Sequence, residues 1–192
     1  VKNLKTIFKR VIATIFIGLL FCQHLYGAEL SASSPDRRSL HFNASLHNRI
    51  NNSALAKVLQ DLNLDLDQKN LKRWEKLLNK ALWYQDIFNF FGSRHHFENC
   101  CFTEGIEQIN QHLTAIKSDY LRLQKSTTLK QQSKFKEKII FRSGRILHSV
   151  QDFFAHSNFV EMMQEKYSSI EEVLPPDFLT TDGQRKILEL VK

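Results

Sequence analysis

The chain has 192 residues, 42% of them hydrophobic and 24% charged, with six glycines, three prolines, three cysteines and a formal net charge of +7. That composition excludes a collagen-like, low-complexity or disulfide-dense chain, and the length suits one domain with a proper core. The positive balance is no argument for a nucleic-acid surface: Lys2, Lys5, Lys9 and Arg10 stand in the first 28 residues with no acid, leaving 23 Lys/Arg against 20 Asp/Glu, a net charge of only about +3.

The first 28 residues read as an export signal. A basic start precedes the apolar run from Val11 to Phe21, and Gly27-Ala28 offers small residues for cleavage. A run of eleven residues is too short to span a bilayer comfortably, which takes about 20. The expectation is a secreted or periplasmic chain that starts near Glu29, so that residues 29–192 form a single all-α domain. Removing that segment takes Cys22 with it and leaves adjacent Cys100 and Cys101, which make no disulfide framework.

Apolar positions then recur at three and four rather than two, the helical period. A first helix is predicted from about Ala44 to Gln60, with Ile50, Ala54 and Val58 on one stripe. A second begins after Asp67, aligns Leu71, Trp74, Leu78 and Leu82, and continues toward Phe91, where Gly92-Ser93 can end it. The third follows Thr103 with Ile106, Ile109, Leu113, Ile116 and Tyr120, and the fourth runs from about Thr128 to Ser157. Pro175-Pro176 breaks the pattern, and Thr181-Asp182 opens a last amphipathic segment that is still in progress at Lys192, so the domain is expected to be cut short at that end.

The fourth helix carries His148, Asp152 and His156 at four-residue spacing, which stacks two imidazoles and a carboxylate on one face as divalent-metal ligands. Leu147, Val150, Phe153 and Phe154 fall on the opposite side and are expected to pack on the core while the ladder looks into a cleft; Gly144 and Ala155 are small enough to admit another element closely. The plain alternative, a solvated polar face, stays open. Lys134, Lys136 and Lys138 upstream read as a solvated flank. Two further polar residues interrupt apolar stripes: His47 on the first helix, which alone reads as a satisfied histidine, and Asp86 at the margin of the second, which alone reads as an exposed acid. His95-His96-Phe97-Glu98 follows in a loop.

Gly144-Arg-Ile-Leu-His-Ser-Val-Gln-Asp-Phe-Phe-Ala-His-Ser-Asn-Phe-Val-Glu161, with Ala81-Leu-Trp-Tyr-Gln-Asp86 and His96-Phe-Glu-Asn99 before it, resembles the superfamily of zinc-dependent phospholipases C and single-strand-specific zinc nucleases, closest to its heterokaryon-incompatibility Het-C-like branch. The resemblance implies an all-helical fold of that type holding one to three zinc ions. It assigns Asp86, His96, His148 and Asp152 to one zinc, His47 to a second that Asp152 bridges, and His156 to a third. Asp86 and Asp152 would serve catalysis, in which metal-activated water attacks a phosphate ester.

No histidine follows His156, so the late ligands of that superfamily have no counterpart, and the site is either reduced or incomplete. Three functions follow as expectations. The first is an exported zinc-dependent phosphoric-ester hydrolase, phospholipase C-like, with a phospholipid or other phosphate-ester substrate and contact with a membrane surface through Phe88, Phe90, Phe91 and Phe97, whose plain reading is core packing. The second is a non-catalytic secreted helical scaffold or interaction domain with a reduced metal site. The third is a single-strand nuclease, disfavoured by the near-neutral charge. Substrate, metal number and oligomeric state are left open.

Overall fold

The computed structural model describes residues 44–61, 67–88, 97, 101–156, 159–166 and 177–190. Residues 1–28, expected to be an export signal, and the loop residues His95, His96, Glu98 and Cys100 lie outside them. Among the described residues there are six helices and no strand: α1 Ala44–Asp61, α2 Gln68–Phe88, α3 Phe102–Lys125, α4 Leu129–His156, α5 Phe159–Lys166 and α6 Thr181–Leu190. None is long and apolar enough to cross a membrane. Two compact units divide between Glu75 and Lys76, inside α2.

In the first unit α1 buries Ile50 and Ala54, as their stripe predicts, together with His47 and Asn51. The start of α2 is fixed by Asp67, whose carboxylate accepts from the backbone N–H of Asn70 at 2.8 Å and from its side-chain amide at 2.6 Å. These bonds occupy donors that a helix start would otherwise leave to water.

The second unit is organised by α4. It packs along α3 as the main helix pair, with α5 against α4 and α6 against α3. Gly144 lets α2 come close: a β-carbon there would lie 2.7 Å from that of Ala81 and 3.1 Å from the carbonyl oxygen of Leu78. Farther along α4, Phe153 is the hub of an aromatic cluster, with ring centroids 5.1 Å from Phe178, 5.4 Å from Phe97 and 5.4 Å from Phe159. The cluster holds Phe97 at a left-handed φ of 56°, a conformation that costs about 1–2 kcal/mol outside glycine. Gly105 faces that ring too closely for any side chain, since a β-carbon would sit 2.6 Å from it. At the end of the chain, Asn110 of α3 and Gln184 of α6 exchange amide hydrogen bonds of 2.8 and 3.0 Å.

Two elements differ from the sequence pattern. The buried face of α3 is Ile106, Ile109, His112, Ile116 and Asp119, whereas Leu113 and Tyr120, expected on it, are half-buried. The stripe is turned by one residue because His112 and Asp119 have partners within reach: Gln108 at 3.2 Å, and Arg142 of α4 at 3.1 Å. The helix α5 was not expected as a separate element, although Ser157-Asn158 before it are the residue types that end one helix and cap the next.

Candidate functional site

Eight consecutive residues of α4, Ile146 to Phe153, are buried, each between 0 and 7% exposed. The expected division into a core face and a ladder facing a cleft is therefore corrected. Leu147, Val150 and Phe153 are interior, but so are His148, Ser149, Gln151 and Asp152, because this stretch of α4 is enclosed on every side; Phe154 is half-buried. A helix in that position must match each polar side chain with a partner or pay its desolvation.

His148 and Asp152 do so with each other. Imidazole Nε2 lies 2.9 Å from carboxylate Oδ2, one helical turn away, and neither side chain is more than 2% exposed. Two ligands bonded to one tetrahedral zinc at about 2.0–2.1 Å stand roughly 3.3 Å apart. An opening of a few tenths of an ångström would convert this hydrogen-bonded pair into two adjacent metal ligands. The donor set, one imidazole and one carboxylate, is borderline-hard and suits zinc.

On the adjoining side of α4 a second polar chain reaches α2. Arg145 Nε donates to Gln85 Oε1 at 2.8 Å, and the Gln85 amide donates to Ser149 Oγ at 3.1 Å. The Ser149 hydroxyl donates in turn to the Arg145 carbonyl at 3.3 Å. The guanidinium carbon of Arg145 lies 5.4 Å from the centre of the Tyr84 ring, a cation–π distance. Burial, with a smaller push from neighbouring Arg142, holds Arg145 below the ordinary arginine value, partly opposed by Tyr84; an arginine remains charged at physiological pH nonetheless.

A family model described as the VWA7 N-terminal domain matches residues 83–178, half of the chain. The chain belongs to the VWA7 N-terminal domain family. No curated protein and no solved structure matches it. The family overturns the resemblance to zinc-dependent phospholipases C, zinc nucleases and the Het-C-like branch, because the stretch Gly144 to Glu161 that carried it lies wholly inside the VWA7 match. The physical reason lies in the packing. Gly144, Leu147, Val150 and Phe153 are set by close approach of α2 and by the aromatic cluster, so much of that stretch encodes a buried helix rather than a chemistry. The ligand assignments drawn from the resemblance lose that support, and only the geometry of individual residues speaks for them.

Within this VWA7 N-terminal domain that geometry covers part of the expected set. His148 and Asp152 are brought together. His47 is buried on α1, in the first unit. Asp86 follows Gln85 on α2 and His156 closes α4, and the side chains of both lie outside the described residues, as does all of His96. Of the aromatics offered as candidates for a membrane surface, Phe97 follows its plain reading and is a core residue at 1% exposure; the side chains of Phe88, Phe90 and Phe91 lie outside the described residues. The sequence reading passed over Gln85, Asp119 and Arg145. Gln85 had a signal: it follows Leu78 and Leu82 at seven and three residues, so it sits on their stripe, where a polar side chain must find a partner.

Proposed function

We propose that this VWA7 N-terminal domain binds a divalent cation, zinc by the chemistry of its donors, through His148 and Asp152, and that the cation braces the helical core rather than turning over a substrate. The buried contact between His148 and Asp152 carries the reading. Its depth favours a structural role: a hydrolytic metal needs an open coordination position and a path for substrate, and a pair exposed by at most 2% offers neither in this arrangement. A phosphoric-ester hydrolase, with Asp86 and Asp152 in catalysis, accordingly ranks below a scaffold or interaction domain. The basic start and apolar run of the first 28 residues support placing the domain outside the cytoplasm. His47, Asp86, His96 and His156 are the sequence's candidates for the remaining ligand positions.

The test is metal content and thermal unfolding of the purified full chain, with and without a chelator, beside Asp152→Asn, which keeps the shape of the side chain but weakens it as a ligand. About one zinc per chain and a chelator-sensitive Tm, both diminished in the variant, are expected. A wild-type chain that carries no metal and whose Tm ignores added zinc would refute the reading. Single alanine variants of the other four candidates then identify which complete the site.

A further inference from the structure

A cleft of about 310 Å³ opens along the outer part of α4 where it meets α2, and its wall is basic. Lys134, Lys138, Arg142 and Arg145 line it from α4 and Lys80 from α2, against the single carboxylate of Glu137. Even with Asp119 behind Arg142 counted, five cations face two carboxylates, an excess of three. The floor is apolar, made by Leu77 and Phe141, and the Phe141 ring is braced edge-on by Tyr84 at 5.9 Å.

Two of the cations are held in place from behind. Arg142 directs its Nε to buried Asp119 at 3.1 Å, and Arg145 directs its Nε to buried Gln85 at 2.8 Å while stacking on Tyr84. Guanidiniums positioned this way lose little side-chain freedom when a ligand arrives, and the remaining Nη–H donors of the two can engage different oxygens of one tetrahedral phosphate. A single carboxylate ligand would leave most of the excess charge unmatched; a dianion matches it better. The volume stands at the small end of ligand sites, which run from about 300 to 1,000 Å³.

We infer that this cleft is an anion site for a phosphate monoester joined to an apolar or aromatic group, the phosphate held by Arg142, Arg145 and the three lysines and the apolar part lying on Phe141. Lys134 and Lys138, part of the flank that reads as merely solvated in the sequence, line this site. The inference does not rest on the metal reading, since none of these residues is a proposed ligand.

Isothermal titration of the full chain, with chelator present throughout, compares inorganic phosphate with phenyl phosphate, and a flotation assay compares phosphatidylcholine vesicles with and without phosphatidic acid, a lipid phosphate monoester. Phenyl phosphate should bind more tightly than inorganic phosphate. Lys134→Glu with Lys138→Glu, on side chains that meet solvent and leave the core alone, should weaken it at least about tenfold with an unchanged helical spectrum. Phe141→Ala should lower affinity for phenyl phosphate several-fold and leave inorganic phosphate unaffected. Vesicle binding that depends on phosphatidic acid and is lost in the double variant identifies a lipid headgroup as the source; phenyl phosphate binding without it identifies a soluble ester. Failure of both phenyl phosphate and phosphatidic acid vesicles to bind, or equal binding by the double variant, overturns the inference.

Discussion

His148 Nε2 meets Asp152 Oδ2 at 2.9 Å inside α4, with both side chains shut off from solvent. Removing one member of such a pair leaves the other buried without its counterpart, at a cost of about 3–5 kcal/mol, whereas replacing both by apolar residues of similar size is often nearly neutral. His148→Ala is therefore expected to destabilise the metal-free chain by roughly that amount, and His148→Leu with Asp152→Leu by clearly less. Denaturant unfolding with chelator present measures both. A double variant as damaged as the single one would show that the pair is not the source of the cost.

Gly144 sets how closely α2 and α4 approach. A methyl group there meets Ala81 at 2.7 Å and backbone atoms of Leu78 at 3.1 and 3.2 Å, and backbone cannot swing aside. Gly144→Ala should cost about 1–3 kcal/mol through overpacking, although alanine favours the helix intrinsically. A Tm equal to or above wild type would show that the helices separate without penalty.

Phe153 and Phe154 are neighbours in sequence with different duties. Phe153 is fully buried and touches Phe97, Phe102, Phe159 and Phe178, whereas Phe154 is half-buried. Phe153→Ala should cost about 3–5 kcal/mol, and Phe154→Ala markedly less. Equal losses in chemical denaturation would contradict the arrangement of the cluster.

Asp67 links the start of α2 to pH. The backbone and side-chain amides of Asn70 hold its carboxyl below the ordinary value of 3.8. A depressed folded-state pKa gives a contribution that is complete above the unfolded value and disappears as pH falls through the folded one. Hydrogen exchange at Asn70 should therefore stay slow above about pH 4 and accelerate, relative to its intrinsic rate, below it. In Asp67→Ala the same amide should be fast at every pH. Protection that is indifferent to acid in the wild type would remove Asp67 as the cap.

The helices were legible because most of the chain is amphipathic: Ile50 with Ala54, Leu78 with Leu82, and Ile109 with Ile116 each announce a buried face. Legibility failed where burial is not one-sided. From Ile146 to Phe153 every residue is interior, so period alone could not separate core from site, and the His148–Asp152 spacing pointed to a cleft that is instead closed. Polar residues on apolar stripes were the better signal, and it was read for His47 but missed for Gln85, His112 and Asp119. Which helix supplies the partner is a tertiary fact: Asp119 finds Arg142 and Gln85 finds Arg145 across pairs of helices that no local pattern joins. The long match that suggested a zinc hydrolase misled because packing constrains the same residues.

Crystals of the full chain grown with zinc, with diffraction recorded on both sides of the zinc absorption edge, address the central claim most directly. The account predicts an anomalous peak about 2.0–2.2 Å from His148 Nε2 and from a carboxylate oxygen of Asp152. Zinc bound only elsewhere, or no peak at all while His148 and Asp152 remain in direct hydrogen-bond contact, would contradict it.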